Sequence, residues 1–101
     1  EGPGVVARVK GQIKCDAYFD WGGGLIWLAI EGDLAQAGTL IRSALGPLGG
    51  HATLLRGRPE IRTVCDVFQP QTFELHRLTK SIKGKFDPEG VLNPGRMYEG
   101  I

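Results

Sequence analysis

The stretch AYFDWGGGLIWLAI, residues 17–30, decides the fold class of this chain. Residues 17–21 and 25–30 are rich in aromatic and aliphatic side chains of the kind that favour extended strands. Three consecutive glycines separate the two runs and mark a turn, so the sequence predicts an antiparallel hairpin. The second run is apolar without interruption. It therefore predicts a strand that is covered on both faces, or covered on one face and docked on a partner by the other.

Three helices are predicted around this hairpin. The first runs from Pro3 to about Lys14, because apolar residues recur at helical spacing and proline suits a first turn. The second begins at Asp33, a residue type that caps helix N-termini well, and continues to Leu45. The third runs from Thr72 to Phe86. Its apolar residues share one face, which is formed by Leu75, Leu78, Ile82 and Phe86.

A third strand is predicted at His51–Leu55, and residues 61–67 are expected to be extended or partly loop. The order of elements is then helix, strand, strand, helix, strand, helix. This order is typical of an α+β sandwich in which helices cover one face of a small antiparallel sheet. The ferredoxin-like arrangement is the nearest common form of that class.

Length and composition restrict the possible functions. A chain of 101 residues builds one modest core, so a single domain over residues 1–101 is expected. Its 12 basic and 11 acidic residues nearly cancel and give no reason to expect a nucleic acid or a membrane surface as partner. No apolar run approaches the roughly 20 residues of a transmembrane segment. Cys15 and Cys65 have no metal-ligand spacing, and we expect two thiols, with a disulfide as the alternative.

The sequence contains no motif of a complete active site. Glycines 22–24 precede a strand rather than a helix, so they do not match a dinucleotide-binding fingerprint. His51 and His76 are expected to be structural histidines. At least one of Trp21 and Trp27 is predicted to lie in the core, and the alternative is a wall that faces another domain or a pocket. The last helix carries a basic face that suits solvent, or else a phosphate or an acidic partner, and consists of Arg77, Lys80, Lys83 and Lys85.

The closing segment FDPEGVLNPGRM, residues 86–97, is the most distinctive part of the chain. Asp87-Pro88 and Asn93-Pro94-Gly95 are strong turn signals, so the segment predicts a helix stop followed by two rigid turns. Val91 and Leu92 lie between these turns and are apolar. Since ordering such a segment costs conformational entropy, it is expected to dock against something.

This closing segment resembles the final motif of FAD-linked oxidases of the vanillyl-alcohol oxidase type, where it also follows the last helix. Three further stretches are similar to the FAD-binding subunits of bacterial glycolate oxidases, namely FDWGGGLIWLAIEG (residues 19–32), VCDVFQPQ (64–71) and NPGRMY (93–98). The resemblance covers most of the chain, from about Val5 to Tyr98.

The resemblance implies that the chain is a C-terminal cap domain and that an N-terminal FAD-binding domain is absent from it. The full-length protein would hold FAD, whereas this piece would bind none and be inactive alone. Its partners would be its own FAD domain, a paralogous flavin subunit and an iron–sulfur subunit. The reaction would be hydride transfer from the α-carbon of glycolate to flavin N5, giving glyoxylate. The expected location is cytoplasmic, peripheral to the inner membrane through the complex.

Two groups of candidate site residues follow from the resemblance. Asn93, Pro94, Gly95 and Arg96 match the closing motif and would lie nearest the FAD domain. No substrate-holding cluster of the family can be matched, so the catalytic residues stay unknown. Candidates for binding a substrate carboxylate, which guanidinium groups grip bidentately, are Arg56, Arg58 and Arg62, although each also suits an ordinary surface position.

Two alternatives stay open. The chain could be an independent ferredoxin-like module that binds a protein or a ligand. It could also be the cap of an FAD-linked oxidase for another 2-hydroxy acid, such as lactate. The tail distinguishes the first alternative, since a tail packed tightly on its own domain favours the module and a loosely held tail favours a missing FAD domain.

Overall fold

The predicted hairpin is present in the computed structural model, which describes residues 1–32 and 35–101 of the chain. Strand β1 (Cys15–Asp20) pairs antiparallel with β2 (Leu25–Ile30), and Tyr18 lies opposite Trp27. The turn between them begins at Trp21, whose φ of 50° lies in the left-handed region. The Asp20 carboxylate accepts a hydrogen bond from the Trp21 backbone N–H at 2.8 Å and thereby supports this conformation.

The chain divides into two compact units, Glu1–Gln69 and Pro70–Ile101. In its described residues the first contains the hairpin and three α-helices, which are α1 (Gly2–Lys10), α2 (Ala37–Leu45) and α3 (Pro59–Val64). The second contains one long helix, α4 (Phe73–Phe86), followed by the closing segment. The predicted α+β class is confirmed. The sheet in the described residues has two strands, and the ferredoxin-like arrangement stays a prediction.

The core of the first unit lies where α1 meets α2 and the inner face of the hairpin. Val5 and Val9 of α1 form a buried cluster with Ala44 of α2. Partly buried residues of both strands pack against this cluster, including Cys15, Ile26 and Leu28. Apolar area removed from water at this junction is the main favourable term that holds the helices to the sheet.

A side-chain bond reinforces the same junction. The Nε and Nη2 atoms of Arg8 both donate to the backbone oxygen of Ala44, at 2.9 and 2.8 Å. This carbonyl lies in the last turn of α2, where oxygens have no partner within the helix. Arg8 of α1 therefore also satisfies the C-terminal end of α2.

Two predicted helix boundaries differ from the structure. Helix α1 ends at Lys10 rather than near Lys14, because Gly11 stops it and donates its backbone N–H to the Ala7 oxygen at 3.1 Å. Helix α2 begins at Ala37, and the predicted N-cap Asp33 lies outside the described residues. The third predicted helix is accurate at both ends. The Thr72 side chain caps α4 by accepting from the Leu75 N–H at 3.3 Å.

The predicted third strand is wrong. His51–Leu55 forms no strand, although the Leu54 N–H donates to the Val67 oxygen at 2.8 Å. Side chains bind the backbone of Ala52 instead, since Gln69 accepts from the Ala52 N–H and Arg42 donates to the Ala52 oxygen. The expectation of an extended segment or loop at residues 61–67 is also wrong for its first part, which belongs to α3. Proline at the first position favours that helix start.

Candidate functional site

The candidate site is the closing segment, which folds back on a polar face of α4. This polar stripe consists of His76, Thr79, Lys83 and Asp87, which recur at i, i+3, i+7 and i+11. These four residues are less exposed than the rest of the helix, and Asp87 retains only 7% of its exposure. At the start of the stripe, the His76 ring meets the Tyr98 ring edge-on, with centroids 6.4 Å apart. The segment thus returns along this side of α4.

Asp87 is the centre of the hydrogen bonding. One carboxylate oxygen accepts from the Val91 N–H at 3.0 Å, and the other accepts from the Leu92 N–H at 2.9 Å. The second oxygen also accepts from the Lys83 ammonium, one helical turn earlier. The hydrogen bond from Lys83 and the one from the Leu92 backbone lower the pKa of Asp87 from its ordinary value of 3.8 to about 2. Asp87 is therefore ionised at neutral pH.

Lys83 holds the same segment from the other side. Its ammonium donates to the backbone oxygen of Leu92 as well as to Asp87. The two peptide groups that flank Leu92 are thus both bound, one by a carboxylate and one by an ammonium. Sequence reasoning placed Lys83 on the solvated basic face and missed this arrangement. The signal that could have found it is the i, i+4 spacing of Lys83 and Asp87.

Two turns come next, as the sequence predicts. Gly90 has a φ of 65°, and its N–H donates to the backbone oxygen of Asp87 at 3.1 Å, which closes the first turn. Asn93 has a φ of 48°, and asparagine tolerates this left-handed conformation better than most residues. The Arg96 N–H returns to the Asn93 oxygen at 3.3 Å, and the Gly95 N–H donates to the Ile101 oxygen at 2.6 Å. The candidate residues 93–96 therefore form one ordered turn.

The apolar face of α4 is open. This apolar stripe consists of the four residues predicted to share a face, and their exposure ranges from 44% to 85%. The apolar residues Val91 and Leu92 of the closing segment are exposed as well, and the expectation that this segment docks against something stays a prediction. The second unit therefore presents apolar residues on α4 and on the closing segment, namely Leu75, Leu78, Ile82, Phe86, Val91, Leu92 and Met97.

The outer face of the hairpin is open too. Tyr18 and Trp27 pair across the strands on this face and are both exposed. Trp21 is 84% exposed at the turn and Trp27 is 44% exposed, so the prediction that at least one tryptophan lies in the core is wrong. The inner positions on either side of Trp27 are taken by Ile26 and Leu28, and the pleat turns Trp27 to the other side. The alternative, a wall that faces another domain or a pocket, remains a prediction.

The three candidate arginines lie in the first unit and have different surroundings. Arg58 precedes α3 and lines an open depression of about 360 Å³ together with Gly32, Glu60 and Ile61. Arg62 donates weakly to the Leu55 oxygen at 3.4 Å. Arg56 is exposed. A carboxylate in the depression would meet Glu60 beside Arg58, and that like charge weakens the case for a substrate site there.

One arginine with several backbone contacts lies outside the predicted site residues. Arg42 of α2 donates through Nη2 to the oxygens of Ala52, Asp66 and Phe68, at 3.1, 2.7 and 3.1 Å. These carbonyls belong to two segments that are distant in sequence. Arg42 therefore ties the segments before and after α3 to α2. The sequence offered no signal for it, because the partners are backbone oxygens.

The residues of the closing turn fit a contact with FAD in one respect. Arg96 is an exposed cation at the end of an ordered turn, and guanidinium groups bind phosphate groups well. The backbone N–H groups of Gly95 and Arg96 are already bound, to the oxygens of Ile101 and Asn93, so they are not donors for a phosphate.

Neither a membrane span nor a metal cluster is found in residues 1–32 and 35–101. Over these residues, no helix combines the length and the apolar character needed to cross a bilayer. Within the same two ranges, no three side chains of the metal-ligating types gather around one point.

Comparison with known proteins gives one clear similarity. The chain is 38% identical over 79 residues to glycolate oxidase subunit GlcE of Escherichia coli (strain K12). The aligned part covers 78% of this chain, which spans about a fifth (20%) of the length of that relative. No family model matches the chain, and no solved structure matches it. The similarity supports a relation between this chain and the glycolate oxidase subunit.

Proposed function

We propose that this chain is the C-terminal cap domain of a glycolate oxidase FAD-binding subunit. The observation that carries the proposal is the 38% identity to glycolate oxidase subunit GlcE. The resemblance of the closing motif to that of FAD-linked oxidases, visible in the sequence alone, points in the same direction. On this proposal the chain is not active in isolation.

The exposed apolar residues of α4 support the view that the chain is one domain of a larger protein. A small self-sufficient domain rarely leaves a whole helix face of large apolar residues uncovered. The relative is about four times as long as this chain, since the 79 aligned residues make up 20% of it. An additional polypeptide of that size supplies enough surface to cover the apolar stripe of α4.

FAD, when bound in the parent protein, supplies the redox chemistry and takes up the hydride from the α-carbon of the hydroxy acid. The role proposed for this chain is to shape the surroundings of that cofactor. Asn93, Pro94, Gly95 and Arg96 would lie nearest the FAD domain, and Arg96 would offer its guanidinium to anionic groups. Arg56, Arg58 and Arg62 remain candidates for the substrate carboxylate.

The parent assembly would contain a paralogous flavin subunit and an iron–sulfur subunit, which carry electrons onward from the flavin. Its location would be cytoplasmic, with peripheral attachment to the inner membrane through the complex. Glycolate is the proposed substrate because the relative is named for it. A second 2-hydroxy acid such as lactate has the same reacting groups and differs only by a methyl.

A second candidate function, an independent interaction module, is favoured by one observation. The closing segment is hydrogen-bonded to its own helix through Asp87 and Lys83 rather than projecting from it. Against this candidate, the apolar residues of the same segment are exposed. The polar contacts are compatible with a cap whose apolar residues meet another domain.

The test uses the full-length protein that contains this chain, purified alone and with its co-expressed neighbours. We expect flavin absorbance bands that bleach when glycolate is added without oxygen. Lactate is the comparison substrate, and faster bleaching with lactate would reassign the substrate. Flavin bands that never bleach would indicate a flavin subunit that does not oxidise these acids. A protein without flavin, whose reading frame begins near Glu1, would overturn the proposal and favour the module.

A further inference from the structure

We propose that Asp87 and Lys83 are positioning residues that fix the direction of the closing turn, Asn93–Arg96, and thereby set how firmly the parent protein holds its flavin. The effect on the flavin rests on the proposed function. The fixing of the turn does not, because it follows from contacts within this chain.

Leu92 is the residue directly before the turn, and both of its flanking peptide groups are bound. Its N–H belongs to the preceding peptide group and is bound by the Asp87 carboxylate at 2.9 Å. Its carbonyl belongs to the following peptide group and is bound by the Lys83 ammonium. Since peptide groups are planar, binding both of them defines the two backbone angles of Leu92. The chain therefore enters Asn93 in one direction.

The conformation of the turn carries this direction forward. Asn93 is held at a φ of 48°, and the proline ring fixes φ at the next position. The bond from the Arg96 N–H to the Asn93 oxygen then closes the turn. Few soft dihedral angles remain between Leu92 and Arg96. A change at the Asp87 carboxylate is thus transmitted to the Arg96 backbone.

The burial of Asp87 is unusual for its surroundings. Among the residues of Pro70–Ile101, all of which the structure describes, Asp87 is the one that is buried, while the large apolar residues are exposed. Burying a carboxylate is costly unless it is well bonded, and three donors meet this one. Such a polar cluster adds little by apolar burial but selects one geometry for the backbone.

The test compares variants of the full-length protein. Asp87→Asn removes the charge, and Lys83→Met releases the Leu92 carbonyl while keeping the carboxylate. Glu89→Gln is the matched control, because it neutralises an exposed carboxylate two residues away. The readouts are the FAD dissociation constant, the absorbance and circular dichroism of bound flavin, and amide hydrogen exchange over residues 91–96.

We expect Asp87→Asn to weaken FAD binding by about tenfold, the typical effect of losing a charged hydrogen bond. We expect an altered flavin circular dichroism and faster amide exchange at Val91 and Leu92. Lys83→Met is expected to have the same effects to a smaller degree, and Glu89→Gln none. If Asp87→Asn does not fold, Lys83→Met alone decides, with the same readouts.

The outcomes separate the two proposals. Unchanged amide exchange in Asp87→Asn and Lys83→Met would overturn the positioning role, whatever happens to the flavin. Faster exchange with unchanged FAD affinity and spectrum would retain the anchor and overturn its effect on the cofactor. A wild-type protein that binds no FAD would refute the proposed function, while amide exchange would still test the anchor.

Discussion

Tyr18 and Trp27 lie directly opposite each other across the hairpin, on the face that points away from the core. Cross-strand aromatic pairs of this kind stabilise antiparallel strands even when solvent reaches them. The pair can therefore stabilise the hairpin within this chain, and it can contact a partner that covers this face. An experiment has to separate these two roles.

The aromatic pair is expected to contribute about 0.5–1 kcal/mol to the stability of the hairpin. A double-mutant cycle of Tyr18→Ala and Trp27→Ala, followed by denaturant unfolding, measures this coupling. Trp21→Ala is the control, because that side chain is exposed at the turn and has no cross-strand partner position. A coupling energy near zero would mean that the pair matters only for a partner.

Removing core volume at Val9 is expected to be costly. Val9 retains 1% of its exposure and belongs to the cluster between α1 and α2. Val9→Ala is expected to lower the free energy of unfolding by about 2 kcal/mol through lost burial and a small cavity. Val64→Ala is the control, since Val64 is a helical valine with 69% exposure and is expected to change stability by less than about 0.5 kcal/mol. Equal effects would contradict the core assignment.

Arg42→Lys is expected to destabilise the first unit despite keeping the charge. Nη2 donates to three backbone oxygens, and it lies one bond further from the backbone than a lysine Nζ, so a lysine at this position falls short of them. We expect a loss of about 1–3 kcal/mol and faster amide exchange around residues 52–68. Arg56→Lys, at an exposed position, is the control and should be near neutral. If the two variants unfold alike, Arg42 does not hold this region.

Acid is expected to release the closing segment. The folded-state pKa of Asp87 is lowered to about 2, whereas the carboxyl in the unfolded chain titrates near its ordinary value of 3.8. The stabilisation is thus fully present above about pH 4 and is lost as the pH falls towards 2. Amide exchange at Leu92, corrected for the intrinsic pH dependence, should rise across this window. In Asp87→Asn the corrected rate should be high and independent of pH there.

Polar substitutions in the apolar stripe of α4 are expected to have different effects on stability in the 101-residue chain and in the full-length protein. In the 101-residue chain, Leu78→Ser and Ile82→Ser should reduce self-association and hardly change stability, because both side chains are exposed. In the full-length protein each should cost up to about 1.5–3 kcal/mol if another domain covers the stripe. Lys80→Ser, on the same helix, is the control. Equal effects in both proteins would argue against such a cover.

The sequence was most informative where local chemistry decides the structure. The hairpin follows from two β-rich runs around three glycines, and α4 follows from its cap at Thr72 and its stop at Asp87. The turn at Asn93 also follows from residue types that accept only a few backbone angles. In each of these cases, neighbouring residues fix the conformation without help from distant parts of the chain.

The sequence misled where the backbone is held by distant side chains. The segment HATLL has strand composition, yet Arg42 and Gln69 bind the backbone of Ala52 in place of a neighbouring strand. No periodicity reveals such partners. The tryptophans show the same limit, because which face of the hairpin meets the helices depends on register rather than on hydrophobicity. The hydrogen bond from Lys83 to the Leu92 carbonyl could not be predicted either, because it depends on how the closing segment folds back in three dimensions.

The two-sided character of α4 also limits how this region can change in length. The polar stripe and the apolar stripe lie on different sides of one helix, and each additional residue rotates the rest of the helix by about 100°. An insertion between His76 and Lys83 would swing Asp87 and the segment after it away from His76, and would bring Phe86 round in their place. Substitutions can accumulate along α4, whereas single insertions or deletions within it should be eliminated. The number of residues from Thr72 to Asp87 therefore determines which side of α4 the closing segment follows.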